Sequence, residues 1–226
     1  MVFAGTLRYS HLMSELAGKQ EQKSERARTT ICEATVACLA ELGYTETTIN
    51  RVVERAGVSK GALQYHFPSK EELMASTAAY LLRRPLRHAQ TSREGEPVRD
   101  MRQRLLNIWD RLTNTAAYLA LLEVLIASRT DKILHARIKD SLQASIREID
   151  EHFLPFYGEL ANTDRDDVML LMTANRSLMR GLLIEEQYGL NKTRQRQVLE
   201  RWLDLLAPEL ERKVERLNTN GEGDTG

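Results

Sequence analysis

An all-α fold is predicted by three features of the sequence. Apolar residues recur at helical spacing along most of the chain, and no segment shows the strict alternation of a half-buried strand. Helix-starting Ser, Thr and Pro and helix-ending Gly punctuate the periodic runs. With 42% hydrophobic residues among 226, the chain carries ample apolar surface for a buried core.

Both ends read as disordered tails. Residues 1–24 are mixed and polar, and residues 218–226, NTNGEGDTG, offer no apolar anchor. The first helix is expected from Glu25 to Leu42, with Ile31, Thr35, Cys38, Leu39 and Leu42 on one stripe and Gly43 ending it. Thr47 is expected to cap a second, short helix that buries Ile49, Val52, Val53 and Ala56 and ends at Gly57. Ser59 caps a third, which runs to about His66 before Pro68 stops it. Ser69 and Glu72 have the spacing of a capping box and open a fourth helix toward Leu82.

The stretch RRPLRHAQTSREGEP then breaks the pattern, dividing an N-terminal domain at 25–82 from a helical domain at 83–217. Pro97 starts a helix carrying Val98, Met101, Leu105, Trp109 and Leu112. The next carries Tyr118, Leu121, Leu122 and Leu125. A long one carries Leu134, Ile138, Leu142, Ile146, Ile149 and Phe153, and Pro155 should bend or end it. ANTDRDD caps another from about Asp164 to Tyr188, closed by Gly189. The last packs Val198, Leu199, Trp202, Leu205 and Leu206 before Pro208, with a charged extension to about Leu217.

Two short helices joined by AGVS, the second too short to stand alone, form a helix-turn-helix whose second helix fits a DNA major groove. Leu63 and Phe67, at i and i+4, face the core, which turns Lys60, Gln64, Tyr65 and His66 outward. Lys plus Arg and Asp plus Glu both number 32, so total charge says nothing of a polyanionic partner. Between Thr47 and Lys70, however, Arg51, Arg55, Lys60 and Lys70 face one anion, Glu54, where phosphate would lie. Helix N-termini at Thr47, Ser59 and Ser69 add backbone donors suited to phosphate oxygens.

The segment TTINRVVERAGVSKGALQYHFPSKEELM, preceded by ACLAELGY, resembles the DNA-binding domain of TetR-family transcription regulators. The likeness rests on the spacing of Gly43, Thr47, Gly57, Val58, Ser59, Gly61, Tyr65, His66, Phe67 and Lys70. It implies phosphate contacts from Thr48, Tyr65, His66 and Lys70, and base contacts from Lys60 and Gln64. The expected contact set is Thr47, Thr48, Arg51, Ser59, Lys60, Gly61, Gln64, Tyr65, His66 and Lys70. Members of the family often carry tyrosine where this chain has Gln64, which leaves the division of roles among Gln64, Tyr65 and His66 open. Glutamine can bond adenine in a bidentate way, so an adenine preference is expected of Gln64 if it reads a base.

The resemblance further implies a homodimer on a palindromic operator, built by a four-helix bundle of the last two helices. Half-sites would lie about 34–36 Å apart or a multiple of it. Ala174, Ser177 and Gly181, flanked by Leu178 and Leu182, allow close helix approach; Val198, Trp202 and Leu205 complete the expected interface. Packing within one subunit is the alternative for these residues. The resemblance also implies an unidentified small-molecule effector bound inside the C-terminal helices, releasing a repressor from DNA.

Candidates for that pocket are Trp109, Leu112, Tyr118, Leu122, Leu125, Phe153, Met172, Asn175, Arg176 and Met179; ordinary core is the alternative for each. Asn175 and Arg176 interrupt the apolar run VMLLMTANRSLMRGLL and need partners, either a ligand group or, for Arg176, an acid on another helix.

Nothing points to an enzyme. There is no Gly-rich phosphate loop before a helix, no nucleophile elbow and no paired-histidine metal motif, and no cofactor is expected. Glu148 and His152 read as a solvated i, i+4 pair rather than a metal clip, and Glu148, Asp150 and Glu151 as a wet surface. Cys32 and Cys38 are out of line on a helix, which argues against a disulfide. The apolar run Tyr118 to Ala127 is too short for a membrane span, and the N-terminus lacks a secretion-signal core, so a cytoplasmic protein is expected. Two other readings stand beside this one: the same fold controlled by a protein partner or by abundance, and a helical scaffold or enzyme that does not read DNA.

Overall fold

A computed structural model describes residues 3–83, 101–153 and 165–221 of the chain. Every regular element among them is helical: α1 (Phe3–Glu46), α2 (Ile49–Ala56), α3 (Lys60–His66), α4 (Lys70–Leu82), α5 (Met101–Ile108) running into a π-helical turn (Trp109–Thr113), α6 (Ala116–Ala127), α7 (Lys132–Phe153), α8 (Arg165–Glu186) and α9 (Lys192–Gly221).

The head is formed by α1 to α4. Gly43 leaves helical geometry at φ 73°, and α2 starts after Thr48, whose hydroxyl accepts from the Arg51 amide. Thr47, the expected cap, is fully buried and donates its hydroxyl to the Gly43 carbonyl at 2.7 Å. Either threonine has the chemistry to cap; the one nearer Gly43 is consumed by the turn. Gly57, at φ 65° and ψ 30°, takes the left-handed position that ends α2 and aims the chain into α3. Ser59 caps α3 by accepting from the Ala62 amide, and Ser69 caps α4 by accepting from the Glu72 amide. Only that half of the expected capping box forms, because the Glu72 carboxylate pairs with Arg137 of α7.

The head core gathers Ile31, Cys38, Val52, Leu63, Phe67 and Leu73. Leu63 and Phe67 are fully buried, each contributing about 1.5–3 kcal/mol, which fixes the rotation of α3. Cys32 and Cys38 are buried free thiols, both pushed up in pKa by burial.

A second core joins head to body, packing Leu39 of α1 and Met74, Ala78, Leu81 and Leu82 of α4 against α6 and α7. A third, within the body, packs Trp109 and Leu122 against Met179, Leu182, Leu199 and Leu203. The α4 helix therefore reaches from the head core to the junction.

The described elements differ from the sequence expectation in four respects. Helix α1 begins at Phe3, so the stretch expected as a tail from residue 3 to 24 is helical, in keeping with its Leu, Met, Glu, Gln and Lys content and lack of proline. Helix α8 ends at Glu186 rather than Tyr188, the turn before Gly189 taking up the difference. Helix α9 continues through Pro208 and across residues 218 to 221; the proline forfeits one backbone bond without ending the helix. The π-helical turn after α5 was not anticipated. Pro85, Gly95, Pro97, Val98 and Pro155 lie outside the described residues.

Candidate functional site

With Leu63 and Phe67 fixed inward, Lys60, Gly61, Gln64 and Tyr65 form the exposed face of α3, and Thr48 and Ser59 stand exposed beside it. Tyr65 is 82% exposed, an unusual position for a large aromatic residue that packs on nothing in its own core. Its ring meets the half-buried His66 ring edge-on, at 5.1 Å between centroids. Thr47 does not belong to this face, since its side chain is inside the head.

Arg28 of α1, absent from the expected site, braces the far end of α3. Its guanidinium lies over the Phe67 ring at 4.8 Å and donates to the His66 carbonyl at 3.4 Å. A cation at a helix C-terminus also complements the helix dipole.

The local surplus of positive charge is smaller than the sequence window suggests. Arg51 pairs with Glu46 and Arg55 with Glu41, both acids standing on α1 just outside the window. These pairs are exposed and cost little to open. Lys70 directs its ammonium at the Tyr44 and Thr45 carbonyls, at 3.0 and 3.5 Å, and lies 4.5 Å from the Tyr44 ring centre. Burial pushes its pKa down, opposed by Glu71, Asp131 and Glu46. Lys70 thus ties the start of α4 to the end of α1 and keeps one N–H for another acceptor.

A cavity of about 140 Å³ lies in the body, walled by α4, α5 with its π-helical turn, α6, α7 and α8. Of the expected pocket residues it brings together Leu112, Tyr118, Leu125, Met172, Asn175, Arg176 and Met179. Trp109 and Leu122 are instead body core, and the Phe153 side chain lies outside the described residues. The π-helical turn contributes three successive residues, Arg111, Leu112 and Thr113, to one wall. Such a turn widens the helix and re-aims the side chains after it, a device common at functional sites.

Asn175 and Arg176 find protein partners. The Trp202 indole donates to the Asn175 side-chain oxygen at 3.1 Å, linking α9 to α8. Arg176 pairs with Asp150, which is 3% exposed rather than on the wet surface expected for it. Glu148 and Glu151 are exposed, and the His152 side chain lies outside the described residues. Arg180 donates its Nε–H to the Tyr118 hydroxyl at 2.9 Å. Sequence reasoning missed Arg111 and Arg180, although Arg180 stands four residues after Arg176 on the same helix stripe.

Of the expected interface residues, Ala174, Ser177 and Leu205 are exposed, Leu178, Gly181, Val198 and Trp202 half-buried, and Leu182 buried in the body core. The exposed side of α8 continues with Leu170, 67% exposed, and Ile184. Leu182 faces the body core because it follows Met179 on the inward stripe.

Residues 31–77 match the family described as bacterial regulatory proteins, tetR family, and this span covers the end of α1 through most of α4. This stretch of the chain is a tetR-family DNA-binding domain. Among curated relatives, an uncharacterised HTH-type transcriptional regulator of Mycobacterium tuberculosis is 31% identical over 129 residues, covering 57% of this chain and 64% of the relative. The match thus spans under two thirds of that relative's length.

Among solved structures, a candidate TetR-family transcriptional regulator from Rhodococcus sp. aligns with a TM-score of 0.59 at 25% identity, over 80% of this chain and 99% of that one. A candidate transcriptional regulator from Saccharomonospora viridis, solved in complex with choline, aligns with a TM-score of 0.61 at 19% identity, over 80% and 94%. The TetR fold therefore extends beyond the helix-turn-helix to the helical body.

Proposed function

We propose that this chain is a homodimeric transcription repressor that holds a palindromic operator through α3 and releases it when a small molecule fills the body cavity. The observation that carries the reading is the face of α3. A seven-residue helix is locked by two buried side chains so that Lys60, Gln64 and an almost fully exposed tyrosine project together beyond the head.

The exposed stripe Leu170, Ala174, Ser177 and Ile184 on α8, with Leu205 on α9, supports dimerisation through the last two helices. Two large apolar side chains on a stripe otherwise made of small residues suit close helix packing. A dimer supplies the second half-site that one short recognition helix needs for a specific address. The cavity supports an effector, since it lies between the junction core and the body core and shares Leu81, Leu82 and Leu121 with the junction. The choline bound by the Saccharomonospora viridis protein fits poorly here: no carboxylate lines the cavity among the described residues, and Tyr118 is its one aromatic there.

Selection of bound fragments from a random duplex pool at moderate salt tests the reading. The expected result is an enriched two-fold symmetric motif. A pool left unenriched by protein refolded free of small molecules overturns it.

A further inference from the structure

We infer that the effector is a small amphipathic carboxylate, with its anionic group held by Arg180 and Tyr118 and its apolar body between α4 and α7. The inference rests on the effector reading above and names the chemistry of that ligand.

The cavity lining combines two unlike kinds of side chain. Leu81 and Leu82 of α4 and Leu142, Ile146 and Ile149 of α7 supply aliphatic wall, while Arg111, Tyr118 and Arg180 bring polar groups. Among the described residues no Asp or Glu lines it. The polar groups also differ in what they have left to offer. Asn175 already accepts from Trp202, and Arg176 is neutralised by Asp150.

Arg180 is different. Its Nε–H goes to a neutral acceptor, the Tyr118 hydroxyl, and no carboxylate pairs with it or with Arg111 among the described residues. Its Nη groups keep their N–H donors, and the Tyr118 oxygen, having accepted, keeps its own O–H to donate. A half-buried guanidinium without a counter-charge is costly, and a planar carboxylate returns both the charge and a bidentate geometry. A cation entering the same space meets like charge.

Volume limits the apolar part. A dry cavity of about 150 Å³ accommodates benzene in another protein, so this one suits a single ring or a chain of roughly six to eight carbons.

Octanoate, octanol and octyltrimethylammonium carry one chain length with an anionic, a neutral and a cationic head. The measurement is the thermal midpoint of the full-length protein across a concentration series of each, since a compound that binds only the folded state must raise it. Octanoate is expected to stabilise most and the ammonium compound least. Arg180→Gln should weaken octanoate at least about tenfold, and Tyr118→Phe severalfold, with octanol unchanged in both.

No stabilisation by octanoate overturns the inference, as does equal or greater stabilisation by the ammonium compound. Octanoate affinity unchanged in both variants also overturns it, by moving binding elsewhere. Operator binding measured on the same preparation separates this from the regulator reading: symmetric DNA selection without octanoate binding sinks the carboxylate alone, and the reverse sinks the regulator alone.

Discussion

The Tyr44 amide donates to the Glu123 carboxylate at 2.9 Å, joining the end of α1 to the middle of α6 across 79 positions of sequence. Glu123 stands on the helix that also places Ala117, Tyr118, Leu121 and Leu125 on the cavity wall. On the proposed effector reading, this contact would carry a shift of α6 to the turn that precedes α2 and α3. Glu123→Ala is expected to lower stability by about 1.5–3 kcal/mol. It should also weaken the reduction in operator affinity caused by ligand while leaving ligand binding itself in place. Titrating operator with and without ligand checks this, and an undiminished ligand effect in the variant counts against α6 as the link.

Gly43 is confined by the same contact. Its φ of 73° is unfavourable for any residue with a side chain, and an added Cβ would lie 3.1 Å from the Glu123 Oε2. Gly43→Ala should cost about 1–3 kcal/mol in chemical denaturation. A neutral result would mean that this turn relaxes without effort.

The Tyr44 side chain offers a pH signature. Burial first, then Asp131 and Glu71, push its phenol up to about 12. A raised folded-state pKa means that the folded protein holds its proton after the unfolded chain has released it. The stability this group contributes is thus complete below about pH 10 and is lost as pH rises toward 12. Phenolate absorbance should show one tyrosine titrating late, and Tyr44→Phe should flatten the alkaline fall in stability.

Glu46 holds Arg51 through Nη1 and so competes with phosphate for its charge. Opening an exposed pair costs about 0.2–1 kcal/mol, so Glu46→Gln should raise affinity for operator and for non-specific duplex alike by about two- to fivefold. Binding titrations with both duplexes check the effect. A change confined to operator would instead place Arg51 on a base.

Asp150 and Arg176 form a pair whose acid is nearly excluded from water. Asp150→Asn should cost about 2–4 kcal/mol, and joining Asp150→Leu to Arg176→Met should recover most of it. Equilibrium unfolding of the three proteins decides whether the pair or its packing matters.

Legibility in the sequence followed the locality of each cause. The head was readable because Gly57, Ser59, Phe67 and Ser69 act on their immediate neighbours. Thr47 was misread because two adjacent threonines have equal capping chemistry, and the choice depends on a turn shaped by contact with α6. The charge window overcounted because Glu41 and Glu46 precede it on α1. Asp150 carried a usable signal, lying four residues beyond Ile146 on the stripe of Ile138 and Leu142, where a charge needs a partner. The π-helical turn left no mark in residue spacing, and Arg180 becomes meaningful only when α8 is set beside α6.

The most direct measurement of the central claim is titration of the selected operator and of a scrambled duplex with the wild-type protein and with Tyr65→Ala. The account predicts wild-type preference for the operator of at least about a thousandfold, and loss of most of that preference in a variant that stays folded and dimeric. Equal affinity of the wild-type protein for both duplexes, or a preference untouched by the substitution, would contradict a DNA-reading role for α3.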